Sequence, residues 1–153
     1  GAGVPVNDAS QQVDLPGRGE WHVFARTFNW GSPWYDGEGP GKFKVAVDGE
    51  DLSETLGGYG NEWIWQYAGS FNAASRNVEL SLKDLTGFDG RCDAIYIPRD
   101  RNALLPSSTE DMTALRCRMI RNYDIPSENI ARALRKLWKN IMGPQSRLSA
   151  KYF

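Results

Sequence analysis

Apolar and polar positions alternate with a period of two through most of the first hundred residues, and a period near 3.6 replaces it after Ser107. EWHVFARTF (20–28) follows the Pro/Gly turn of DLPGRG and sets Trp21, Val23, Ala25 and Thr27 against His22, Phe24, Arg26 and Phe28. KFKVAVDGEDL (42–52) points Phe43, Val45 and Val47 inward and Lys42, Lys44 and Ala46 outward, then turns at Asp48-Gly49, a strong hairpin signal. NEWIWQYAGSF (61–71) is the next strand. NVELSLKDL (77–85), with Val78, Leu80 and Leu82 on one face, and CDAIYIP (92–98) complete the series. Short strands at near-regular spacing, separated by Gly-rich turns, predict an antiparallel sandwich.

The later segment predicts two helices. STEDMTALRCRMIRNY starts with Ser108 or Thr109 as N-cap, carries Glu110 and Asp111 in its first turn, and aligns Met112, Leu115 and Met119. PSENIARALRKLWKNIMG repeats the design: Ser127 is the N-cap, Ile130, Leu134, Leu137, Trp138 and Ile141 form the stripe, and Gly143-Pro144 is the stop. An isolated helix of that length is marginal in water, so its stripe packs on the sandwich or on another chain.

Trp63, Trp65 and Tyr67 stand at strict two-residue spacing, which puts three rings on one strand face. Burying a large ring stabilises by roughly 1.5–3 kcal/mol, so the expectation is that this face is mostly core, with Trp63 approaching the surface.

At 153 residues, 41% of them hydrophobic, the chain suits one compact domain with a short appendage. Lys and Arg total 18 against 19 Asp and Glu, a balance that argues for neither a nucleic-acid nor a membrane-surface partner. The distribution is uneven, since the nine positive residues from Arg116 to Lys151 meet only Asp124 and Glu128. No apolar run is long enough for a membrane helix. A start at Gly1 rather than Met reads as a processed or recombinant fragment, from which an export signal could have been cut, so the compartment stays open with periplasmic or extracellular favoured. In such a compartment Cys92 and Cys117 could pair; otherwise Cys92 is a small buried residue.

Most catalytic chemistries find no footing. GEGPGKF lacks the Ser or Thr of a phosphate-binding loop and leads into a strand. His22, the one histidine, lies within a strand pattern and reads as a half-exposed strand residue, not a general base. Asp84, Asp89 and Asp93 cluster with Arg91 in KDLTGFDGRCD. A glycosidase needs two carboxyls across a cleft, but Asp84 and Asp89 read better as turn residues accepting backbone amides, with Arg91 paired to one of them. The aromatic loop FNWGSPWYDGEGPG (28–41) is the most informative stretch. Trp30, Trp34 and Tyr35 sit among Gly, Pro, Ser and Asp, where no alternation forces them inward. They either stack on the C–H face of a sugar or fold back as a plug over one end of the sandwich.

In this order, VDLPGRGEWHVFARTFNW, GKFKVAVDGEDL, EWIWQYAGSF and RNVELSLKDLTGFDGRCDAIYIPRD resemble the galactose-binding-like β-sandwich modules found among carbohydrate-binding modules and related accessory domains. The resemblance covers about residues 13–100. Through DLTGFDGRCDAI it is nearer to the accessory sandwich attached to bacterial FAD-dependent oxidoreductases. It implies a jelly-roll fold, so the expected class is mainly β, an antiparallel jelly-roll β-sandwich over 1–105; the two helices lie outside that pattern, as a C-terminal extension over 106–153 that could lead into an enzyme domain. It also implies an adjoining enzyme and carbohydrate binding, but not catalysis. The flavin fingerprint is absent, so no FAD is expected. In related modules an Asp of the final strand can hold a structural calcium, and Asp93 is the matching position, though no convincing set of further oxygen ligands accompanies it.

The expected function is a non-catalytic, carbohydrate-binding-like accessory module. Its candidate ligand residues are Trp30, Trp34, Tyr35, Tyr59, Asp89 and Arg91, and its partner is an oligosaccharide or a partner enzyme domain. The alternative is a structural or protein-docking domain with no sugar ligand, in which the aromatic loop and the basic C-terminal helices pack against a partner enzyme or a second copy.

Overall fold

The structure is a computed structural model that describes residues 3–34, 37–88 and 90–114. The chain falls into two compact units, Gly1–Leu105 and Pro106–Phe153. The first contains seven strands: β1 (Ala9–Asp14), β2 (Gly19–Phe28), β3 (Phe43–Val47), β4 (Glu50–Asp51), β5 (Ile64–Ala73), β6 (Asn77–Asp84) and β7 (Arg91–Tyr96). They form two antiparallel sheets, ordered β1-β6-β3-β4 and β5-β2-β7. Every connection except β3–β4 crosses from one sheet to the other, the habit of a jelly roll.

The predicted alternation explains the core. Val23 and Ala25 from β2 meet Val45 and Val47 from β3 and Val78 from β6, with Leu80 and Leu82 packed against them. Asp48 and Gly49 adopt φ of 50° and 85°, as a two-residue hairpin with Val47 opposite Glu50 requires. Trp21 closes one end of the core. Its indole N–H donates to the Gly17 carbonyl at 3.0 Å, and the Arg99 guanidinium lies 3.9 Å over its ring. The sequence pattern gave no sign of β1, because ASQQVD is an exposed edge strand with only Val13 packed on the core. Such a strand needs β6 as its partner rather than a hydrophobic face of its own.

The structure corrects the expectation for Trp63, Trp65 and Tyr67. They lie outside the core cluster, on the outer face of the β5-β2-β7 sheet, where Tyr67 is in register with Phe24 and Trp65 with Arg26. The cause is a bulge: Val23 pairs with Gly69 and Phe24 with Tyr67, leaving Ala68 as an extra residue. One inserted residue reverses the phase of the strand, so Ala68, Phe71 and Ala73 turn toward the core while the three rings before them turn away. In modules of the resembling family a glycine at the position of Gly69 would separate two strands. Gly69 lies instead inside one strand, at φ 137°, with Ser53 and Leu52 packed where a side chain would begin.

The outward rings recover part of the lost burial from one another. Phe24 and Tyr67 are 5.2 Å apart between centroids, Phe28 and Trp63 5.7 Å, and Trp65 and Tyr96 6.4 Å. Pairs of this kind contribute about 0.5–1.5 kcal/mol beyond area burial. Arg26 and Arg101 cover the rings of Trp63 and Tyr67. Trp63 remains 39% exposed.

In the second unit, residues 109–114 are helical. Ser108 is the N-cap: its hydroxyl accepts the Asp111 amide at 3.0 Å, while the Asp111 carboxylate accepts the Ser107 and Ser108 amides. The rest of that helix, the 126–143 helix and Cys117 lie outside the described residues. Among the described residues no helix is long and apolar enough to cross a membrane.

Gly69→Ala tests the bulge. It forces a Cβ into a positive-φ position against the Ser53 amide and Leu52, and equilibrium denaturation is expected to show a loss of about 1–3 kcal/mol.

Candidate ligand-binding site

The loop after β2 is built by its own polar residues. Asn29 is buried, and its side-chain carbonyl accepts the Gly31 amide at 3.1 Å. The backbone carbonyls of Asn29 and Gly31 then accept the Ser32 and Trp34 amides, so two successive turns carry the chain from β2 to Trp34. Gly39 must be glycine, because a Cβ there would overlap the Asn29 side chain.

These turns separate the two tryptophans. Trp30 is half-buried against Phe88, 6.3 Å away between ring centroids, and its indole nitrogen is buried without a hydrogen-bond partner. Trp34 is 73% exposed and stands 6.4 Å from Trp30 at an interplanar angle of 59°. Trp30 thus folds back as a plug against Phe88, while Trp34 beside it faces solvent.

A second loop is tied to the first. The Gly39 amide donates to the Gly58 carbonyl at 2.8 Å, and the Glu38 carboxylate accepts from Lys42 and from the Tyr59 hydroxyl. The hydrogen bond from Lys42 holds Glu38 below the usual carboxylate range against the opposing effect of burial. Beneath this loop the Gln66 side-chain carbonyl accepts the Thr27 hydroxyl at 2.8 Å and the Gly57 amide at 2.9 Å. Tyr59 is 54% exposed, on a loop fixed from both sides.

Of the other predicted residues, Arg91 is exposed at the start of β7, in register with Phe28 two residues before Trp30. Tyr35 and Asp89 lie outside the described residues. Asp93 pairs with Arg26 at 2.9 Å, and among the described residues no three Asp, Glu, His or Cys gather as metal ligands. A guanidinium on the one named carboxylate does not fit calcium. His22 is half-exposed, with Nδ1 3.0 Å from the Tyr67 hydroxyl. Phe88, Glu38 and Lys42 were not singled out as site residues in the sequence; Phe88 meets Trp30 and Glu38 meets Tyr59 only across more than twenty residues of chain, whereas Lys42 pairs locally with Glu38.

Asp84 behaves as the turn residue expected of it. Its carboxylate accepts the amides of Thr86 and Gly87, both at 3.0 Å, and of Val6 at 3.2 Å. Burial pushes its pKa up, but the three amides outweigh this and hold it below the ordinary value of 3.8. With all three amides satisfied by Asp84 and with Asp93 held by Arg26, neither carboxylate is placed as a free acid or base.

No protein-family model matches the chain, and no curated protein matches its sequence. Among solved structures the chain is similar to the EclA C-terminal domain, described as a sugar-binding protein. The identity is 20%, the match covers 63% of this chain and 68% of that one, and the TM-score is 0.45. That degree of likeness does not assign a ligand.

Because the folded pKa of Asp84 is depressed, its ionised form stabilises the loop at neutral pH, and that contribution disappears as pH falls through the folded value. The stability difference between wild type and Asp84→Asn is therefore expected to be full at pH 7 and to shrink below pH 3.8, as read by thermal unfolding across pH.

Proposed function

We propose that the chain is a non-catalytic, carbohydrate-binding-like module. The observation that carries this reading is Trp34: a large indole, mostly exposed, on a loop braced by Asn29, Gly39 and the Glu38–Lys42–Tyr59 contacts. Exposing such a ring forgoes burial energy, and a preorganised flat ring is what the C–H face of a pyranose requires. Trp30 backs the platform. Tyr59 with Glu38 and Lys42 supplies donors and acceptors for hydroxyls, and Arg91, Tyr35 and Asp89 belong to the same proposed site. The enzyme such a module would serve, a bacterial FAD-dependent oxidoreductase or a polysaccharide-processing enzyme, is a proposal that rests on the sequence resemblance through DLTGFDGRCDAI.

A second reading, a protein-docking module, is favoured by one observation, the aromatic outer face of the β5-β2-β7 sheet with Trp63 at its edge. Calorimetry against a panel of neutral and acidic oligosaccharides separates the two. Saturable binding that Trp34→Ala weakens at least tenfold, with unchanged thermal stability, is the expected result. No binding across the panel would sink the sugar reading and put docking in front.

A further inference from the structure

The space next to the aromatic loop has a different chemistry from the loop itself. A cleft of about 250 Å³ opens between the N-terminal segment, β6 and the start of β7. Its apolar lining comes from Val6, Ala9, Phe43, Leu82, Phe88 and Cys92. Phe88 is shared: it forms one wall of the cleft and is also the ring on which Trp30 rests. Rings therefore lead from the exposed Trp34 through Trp30 to the cleft in two contacts of 6.4 and 6.3 Å.

The cleft is poorly suited to a sugar. Among the described residues of its lining the one carboxylate, Asp84, already accepts three backbone amides, and Asn7 carries the other polar side chain. Hydroxyls placed there would lose water without gaining enough partners. Burial pushes the Cys92 thiol up to about 11, so it stays neutral. A cavity of about 150 Å³ lined by aliphatic and aromatic side chains accommodates benzene, and this cleft is larger.

We infer that the cleft takes the aryl aglycone of a glycoside whose sugar rests on Trp34. The sugar half of this assignment rests on the function proposed above; the aryl half rests on the cleft. Phe43 and Phe88 favour a ring over a polar group of the same size, and Phe88 is the ring on which Trp30 rests, with Trp34 one ring further on, a span that the reducing end of an oligosaccharide can bridge.

The test uses the full chain labelled with ¹⁵N, titrated with benzyl alcohol and with matched methyl and benzyl glycosides of each sugar in the panel. Benzyl alcohol is expected to shift the amides of Gly87, Gly90 and Cys92. The benzyl glycoside should bind about tenfold or more tightly than the methyl glycoside. Ala9→Phe, whose ring fills the cleft from an exposed strand, should remove that difference. Glycosides that bind without a benzyl advantage overturn the cleft assignment and leave the sugar reading standing. A benzyl alcohol response with none from any glycoside overturns the sugar reading and upholds the cleft as an apolar site. Silence of those three amides toward every ligand overturns the assignment.

Discussion

The extra residue at Ala68 is the constraint on which the arrangement of this sandwich depends. Strand side chains alternate without exception unless a residue is inserted, so β5 can feed two different surfaces only by breaking its own register. Before the bulge, Trp63, Trp65 and Tyr67 turn outward; after it, Phe71 and Ala73 complete the core. Gly69 makes this possible, since its φ of 137° and the closeness of Ser53 and Leu52 leave no room for a side chain. The result is a sheet that feeds Trp21, Val23, Ala25, Ala68 and Phe71 to the core and carries Trp63, Trp65 and Tyr67 on its outer face.

The same division of labour recurs at the end of the sandwich. Aromatic residues there are not one class: Trp30 is packed on Phe88, while Trp34 is held out by two successive turns. The loops that present the candidate site are anchored by buried and part-buried polar contacts as well as by the packing of Trp30 on Phe88. Asn29, Gln66 and Asp84 each accept backbone amides that would otherwise be left unsatisfied. Rigid loops on a sandwich scaffold are where recognition surfaces are commonly carried, because the ordering cost is met in folding rather than on binding. Polar anchoring beneath and exposed rings above make this end a surface suited to binding.

Much of the fold was legible along the chain. The period-two stretches of β2, β3 and β6 bury the side chains their pattern turned inward, although Ala46, expected outward, is fully buried too, and Asp48-Gly49 forms the hairpin that dipeptide favours. The edge strand β1 escaped notice because its polar sequence carries no hydrophobic period. The candidate site was legible in part: Trp30, Trp34 and Tyr59 stood out as large rings among turn residues, and Asp84 as a turn former. Phe88 and Glu38 were not, since each acquires its role only when a distant loop is brought beside it.

By itself the sequence determined the β class, the inward residues of the regular strands β2, β3 and β6 and the Asp-Gly turn, because these follow from local periodicity and turn chemistry. Tertiary structure alone decided which way the rings of β5 face and which tryptophan of the loop meets solvent. A bulge is set by pairing with a neighbouring strand, and exposure by what packs alongside. Neither is a property of a short stretch of chain.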